Sequence, residues 1–137
     1  MGMMADACLA AGGEVTGVIP RSMTARELAH QGLTELHIVE SMHDRKALMA
    51  ARADGFLALP GGMGTWDELC EILTWAQLGI HSKPVAALNT CGYFDAFSAM
   101  LDHAVNEGFL RTADRARLNF APDPATAIDR LVSSAEA

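Results

Sequence analysis

The densest chemistry in the sequence lies in Leu59-Pro60-Gly61-Gly62-Met63-Gly64-Thr65-Trp66-Asp67-Glu68, where an apolar run passes through a glycine-rich turn into a helical pattern. Glycine lets a ligand approach the backbone closely, and the first N–H groups of a helix have no partner within it, so such a turn suits an anion. No Lys-Ser or Lys-Thr pair follows the last glycine, so this is not the loop that cradles a metal-held triphosphate. Thr65 and Glu68 stand three apart, the spacing of a capping box in which each side chain satisfies the other's backbone N–H. Glu68 is therefore open to two readings, helix cap or catalytic carboxylate. Asp67 beside it makes the turn denser in negative charge than a cap requires.

A second cluster, Ser41-Met42-His43-Asp44-Arg45-Lys46, opens another helical stretch, again with capping-box spacing between Ser41 and Asp44. Helical periodicity puts Met42, Arg45, Leu48, Met49 and Arg52 on one stripe. Arg45 thus falls near the core-facing side, where a guanidinium needs an anionic partner, and its planar fork suits a carboxylate or a phosphate. A solvated surface arginine is the alternative. His30, His37, His43, His81 and His103 show no metal-ligand spacing, and Cys8, Cys70 and Cys91 form no CxxC pair. Neither a zinc site nor a disulfide framework is expected, and the thiols should be reduced, as in the cytosol.

These residues need elements to carry them. Period and punctuation predict helices over residues 3–11, 25–30, 42–53, 65–78, 94–107 and 125–132. Short apolar strands are predicted over residues 15–19, 35–39, 56–59, 85–88 and 118–120. Such alternation is the mark of an α/β fold with a parallel sheet covered on both faces, and ligands in these sheets collect at the carboxyl ends of the strands. The loop after Leu59 lies at such an end. The helix over 65–78 carries Trp66, Leu69, Cys70, Ile72, Leu73, Trp75 and Leu78, apolar nearly all round, which predicts burial in a core or against a second subunit.

With 137 residues, half of them hydrophobic and a fifth charged, the chain has the size of a single domain over 1–137. Its net charge of −7, with only 10 Lys and Arg, argues against nucleic acid as a partner. No apolar run reaches the roughly 20 residues of a membrane span, and the first residues do not read as a signal peptide. A cytoplasmic protein with no membrane partner is expected.

Three segments together resemble a known family. Met42-His43-Asp44-Arg45-Lys46, Pro60-Gly61-Gly62-Met63-Gly64-Thr65-Trp66-Asp67-Glu68 and Thr74-Trp75-Ala76-Gln77-Leu78-Gly79-Ile80-His81-Ser82-Lys83-Pro84-Val85 are similar to the Lonely Guy (LOG) family. Its members are cytokinin riboside 5′-monophosphate phosphoribohydrolases, many bacterial ones also labelled AMP nucleosidases, and the likeness extends over residues 1–111. The resemblance implies a Rossmann-like α/β sheet, no cofactor or metal, and a homodimer whose active sites are completed across the interface. It implies Arg45 and Glu68 as the catalytic pair. Gly62, Gly64 and Thr65 would hold the 5′-phosphate of a nucleoside monophosphate, while Glu27, Lys46, Gly61, Met63, Trp66, Asp67 and Thr74 would line the substrate site.

Trp66 stands where the family usually has a smaller apolar residue, and Met63 where it has an aromatic one; both departures bear on base preference. The family's opening strand–helix–strand unit has no counterpart here, so an N-terminally truncated chain with an incomplete sheet and exposed apolar edges is expected. A rival expectation is a nucleotide-binding protein without catalysis, similar to molybdenum-cofactor carriers. Some relatives are labelled lysine decarboxylases, but Lys46 and Lys83, the only lysines, sit in no recognisable pyridoxal phosphate motif.

Overall fold

The structure, a computed structural model, describes residues 2–24, 30 and 32–135. The helix predicted over 25–30 and the site residue Glu27 lie outside them, apart from His30. The chain divides into two compact units, Met1–Arg52 and Ala53–Ala137.

In the first unit α1 (Gly2–Ala10) is followed by β1 (Thr16–Pro20), α2 (Arg21–Thr24), β2 (Glu35–Val39) and α3 (Met42–Arg52). β1 and β2 pair in parallel, with Thr16 opposite Glu35 and Pro20 opposite Val39. Gly17 lets the Leu33 side chain pack directly on the β1 backbone, since a Cβ there would collide with the Leu33 Cδ1 methyl. α3 packs on both strands. Its last turn is tied to β2 by Arg52, which donates to Glu35 Oε2 at 2.8 Å and meets His37 Nε2 at 2.6 Å.

The second unit contains β3 (Phe56–Ala58), α4 (Met63–Gln77), β4 (Val85–Leu88), α5 (Asp95–Asn106), α6 (Thr112–Arg115), β5 (Leu118–Ala121) and α7 (Pro124–Ala135). Its three strands form a parallel sheet in the order β3-β4-β5, with Phe56, Val85 and Leu118 in register. Because side chains alternate across a sheet, Phe56 and Ala58, Val85 and Ala87, and Leu118 and Phe120 share one face. Leu69, Ile72 and Leu73 of α4, with Phe94, Phe97 and Leu101, pack against that face. Phe94 is 1 % exposed at the centre of this cluster, a burial that contributes about 2–3 kcal/mol. α7 packs on β4 and β5, and Ala86, Ala121 and Ala127 are fully buried.

Parallel pairing and the helical covering agree with the α/β class read from the sequence. The strands are shared between two sheets, one in each unit, a division that periodicity does not encode. α6 is held both by the arginines that flank it and by side chains of α5. Its Asp114 accepts from Arg111 Nε at 2.6 Å and Arg117 Nε at 3.2 Å. The Arg111 hydrogen bond, with help from Arg117, keeps the Asp114 carboxyl below the ordinary aspartate range despite its burial. Arg115 reaches Asp102 and Ser98 on α5 and lies over the Phe120 ring.

Candidate functional site

Two helix starts carry most of the candidate residues. α3 opens with the capping box the sequence predicts: Asp44 N–H donates to Ser41 Oγ at 3.0 Å, and Ser41 N–H donates to Asp44 Oδ2 at 3.1 Å. The two side chains also bond to each other at 2.6 Å. Arg45 follows in the first turn, half-buried, and its Nε donates to the backbone carbonyl of Val18 in β1 at 3.1 Å. A strand carbonyl thus shares the role expected of an anionic partner, fixing the guanidinium against β1. Lys46, next on α3, is also half-buried.

α4 begins differently, and here one expectation is corrected. The helix starts at Met63 rather than Thr65, with Gly62 as its N-cap in extended conformation (φ −92°, ψ −151°) and no side-chain hydrogen bond capping it. Thr65 is therefore the third residue of the helix and Glu68 lies in its second turn, so the two do not form a capping box. The reason is geometric: Trp66 N–H donates to Gly62 O at 3.2 Å, which closes the first helical turn two residues earlier than the pattern suggests. The cap reading of Glu68 falls with that shift. Glu68 is half-buried, while Trp66 and Asp67, which precede it in the helix, stand exposed.

The three glycines of the loop are glycine for different reasons. A Cβ on Gly61 would strike the Thr65 side chain, so Gly61 is needed for close packing of the loop onto α4. A Cβ on Gly62 or Gly64 would meet no atom within 4 Å. Neither glycine has positive φ. Gly64 costs about 1 kcal/mol of helix stability relative to alanine, and nothing in its own surroundings demands it. Both glycines leave open space beside the first N–H groups of a 15-residue helix.

The remaining candidates lie along α4. Met63 is 78 % exposed at its start. Thr74, two turns on from Asp67, turns its hydroxyl back to the Cys70 carbonyl at 2.8 Å. Burial and the neighbouring Asp67 charge push the Cys70 thiol up from its ordinary range. The helix is less buried than its composition predicts: Leu69 and Ala76 are its buried residues, and Trp66 and the adjoining Leu78 are exposed.

One residue near the loop escapes a scan for charged and nucleophilic types. Tyr93, in the connection after β4, donates its hydroxyl to the Gly61 carbonyl. The rule that ligands gather at the carboxyl ends of parallel strands, applied to β4 as well as β3, would have found it. Among the described residues no group of three or more His, Cys, Asp and Glu is placed to hold a metal, and no helix is long and apolar enough to cross a membrane.

Comparison with known proteins agrees with the motifs. The model of a family described as possible lysine decarboxylase matches residues 1–131. A cytokinin riboside 5′-monophosphate phosphoribohydrolase from Rhodococcoides fascians is 51 % identical over 134 residues, 97 % of this chain and 68 % of that protein. Proteins of the same name from Oryza sativa subsp. japonica and Arabidopsis thaliana are 48 % and 45 % identical, over 89 % and 90 % of this chain. The chain spans 50 % and 58 % of the length of these two plant relatives. With the paired motifs around Arg45 and Glu68 and a family match over nearly its whole length, the chain belongs to the family described as possible lysine decarboxylases, that of the Lonely Guy proteins.

Proposed function

We propose that the chain hydrolyses the N-glycosidic bond of a purine riboside 5′-monophosphate of the cytokinin type, giving free base and ribose 5-phosphate. The observation that carries this reading is the start of α4. A long helix opens on a glycine without a side-chain cap, Gly62 and Gly64 leave room at its first N–H groups, and a half-buried carboxylate follows one turn later. The names of the relatives fit a nucleotide whose phosphate sits there.

In this reading Gly62, Gly64 and Thr65 hold the 5′-phosphate through backbone N–H groups and the helix dipole. Cleavage of the C1′–N bond leaves positive charge on the ribose. Glu68 stabilises that oxocarbenium-like state or takes a proton from the attacking water, whose oxygen bonds to C1′ as the base departs with a proton. Arg45 binds phosphate or keeps Glu68 ionised and oriented. Gly61, Met63, Trp66, Asp67, Thr74, Lys46 and Glu27 line the substrate site, and the exposed Met63 and Trp66 bear on which base is accepted. The same reading makes the protein a cytoplasmic homodimer with its site near the interface; the exposed Trp66, Leu78 and Ile80 supply apolar surface for such contact.

Lysine decarboxylation, which the family description suggests, fits the residues less well. That chemistry ordinarily runs on a lysine Schiff base, and Lys83 precedes β4, at the opposite end of the sheet from the glycine loop.

Replacing Glu68 with Gln tests the assignment. Turnover of an N6-modified adenosine monophosphate should fall about a thousandfold, the usual scale for losing one transition-state charge contact, while calorimetric affinity for the nucleotide stays near that of the parent. A variant with near-normal turnover would remove Glu68 from the chemistry.

A further inference from the structure

We propose that Tyr93 is a positioning residue that aims the phosphate-binding N–H of Gly62. The proposal rests on the reading that the α4 start holds a 5′-phosphate. Its basis is the peptide unit between Gly61 and Gly62. A trans peptide is planar, so the Gly61 carbonyl and the Gly62 N–H point in opposite directions and turn together. Glycine on both sides makes this the peptide least constrained by side-chain sterics in the loop. Its orientation therefore needs an outside brace.

Tyr93 supplies that brace by donating its hydroxyl to the Gly61 carbonyl. With the carbonyl held toward Tyr93, the Gly62 N–H is turned the other way, and the partial negative charge of the carbonyl oxygen is engaged rather than left to repel an anion. The Tyr93 ring is itself fixed. It stands edge-on to Phe94 with centroids 5.0 Å apart and planes at 88°, and Phe94 is anchored in the core.

The connection carrying Tyr93 is rigidly built. Asn89 accepts from Phe94 N–H through Oδ1 at 2.6 Å and donates from Nδ2 to Asp95 at 2.7 Å. Its own N–H donates to the Ala121 carbonyl at the end of β5 at 2.7 Å. Cys91 adopts φ 54°, a left-handed conformation uncommon outside glycine. Such a conformation persists where surrounding bonds over-determine it. Here Gly92 N–H donates to Asn89 O and Tyr93 N–H to Thr90 O, both at 3.2 Å. The loop after β4 is thus a bracket whose far end touches the glycine loop after β3 at one carbonyl.

Tyr93→Phe keeps the ring against Phe94 and deletes the hydroxyl alone. Calorimetric titration of parent and variant with AMP, inorganic phosphate and adenosine separates the phosphate from the rest of the nucleotide, and a thermal midpoint is taken for each protein. The variant should lose about tenfold in affinity for AMP and for phosphate, the scale of one hydrogen bond, with adenosine affinity unchanged. In turnover of AMP, KM should rise by a similar factor with kcat within about twofold, because the lost contact holds ground state and transition state alike. The thermal midpoint should fall by no more than about 4 °C, the scale of one lost internal hydrogen bond.

Parent-like affinity for AMP and phosphate in the variant would overturn the proposal. So would an equal loss for all three ligands with a larger fall in midpoint, which would make Tyr93 a stabilising residue only. A parent chain that binds AMP and phosphate but releases no base contradicts the hydrolytic reading and leaves the Tyr93 comparison intact. A parent chain that binds neither overturns both.

Discussion

The starts of α3 and α4 pose the same physical problem and meet it in opposite ways. Each follows a short parallel strand and presents backbone N–H groups that the helix itself does not satisfy. At α3 the chain answers with its own side chains, as Ser41 and Asp44 bond reciprocally and close the end. At α4 the N-cap is Gly62, no side chain caps it, and two glycines face open space. A protein optimised only for stability would treat both ends as it treats the first. The second is left without such a cap, and helix stability is lower for it.

That contrast can be broken from either side. The larger effect is expected from Gly62→Asp, which gives α4 the kind of cap α3 has. The extended backbone of Gly62 accepts a side chain, and a Cβ there meets nothing. Stability should rise by up to about 1 kcal/mol from the cap and the helix dipole. Affinity for AMP should fall at least about a hundredfold, since a carboxylate would occupy the phosphate's place and repel it. Urea unfolding and calorimetry on the same sample read the two together. Unchanged AMP affinity would mean that the α4 start is not where phosphate binds.

A smaller effect is expected from Ser41→Ala, which opens α3. Loss of the reciprocal cap should cost about 1 kcal/mol in urea unfolding, and AMP affinity should change by less than about twofold, since no ligand is assigned to the backbone N–H groups of that end and Arg45 keeps its hydrogen bond to Val18. A loss of binding larger than the loss of stability would mean that α3's first turn, with Arg45 and Lys46, depends on the cap for its part in the site.

The same pair of helix starts shows what was legible in the sequence. Ser41 and Asp44 announce their cap because both partners are local and of types that cap. The start of α4 reads two residues late, because Met63-Gly64 looks like loop on propensity, and the spacing of Thr65 and Glu68 imitates a capping box. β2 and β4 are found with their ends in place, since apolar runs such as Val85-Ala86-Ala87-Leu88 are bounded by Pro84 and the turn-forming Asn89. α6 has four residues, too few to show a period, and depends on the pairing of Asp114 with Arg111 and Arg117. Tyr93 is invisible for another reason: its significance is a single contact with Gly61, 32 positions away, which no local pattern encodes. The glycines of the loop stand out in the sequence, yet only geometry separates Gly61, needed for packing, from Gly62 and Gly64, which leave space.

The proposed function requires that the open end of α4 and the carboxylate behind it serve glycosidic hydrolysis. The most direct measurement is incubation of the chain with an N6-modified adenosine monophosphate, the corresponding riboside and AMP, with chromatographic quantification of free base and ribose 5-phosphate. Equal amounts of the two products are expected from the monophosphates and none from the riboside, which lacks the phosphate proposed to sit at the start of α4. Binding of the monophosphates without release of base, or release from the riboside at the same rate, would contradict the proposed function.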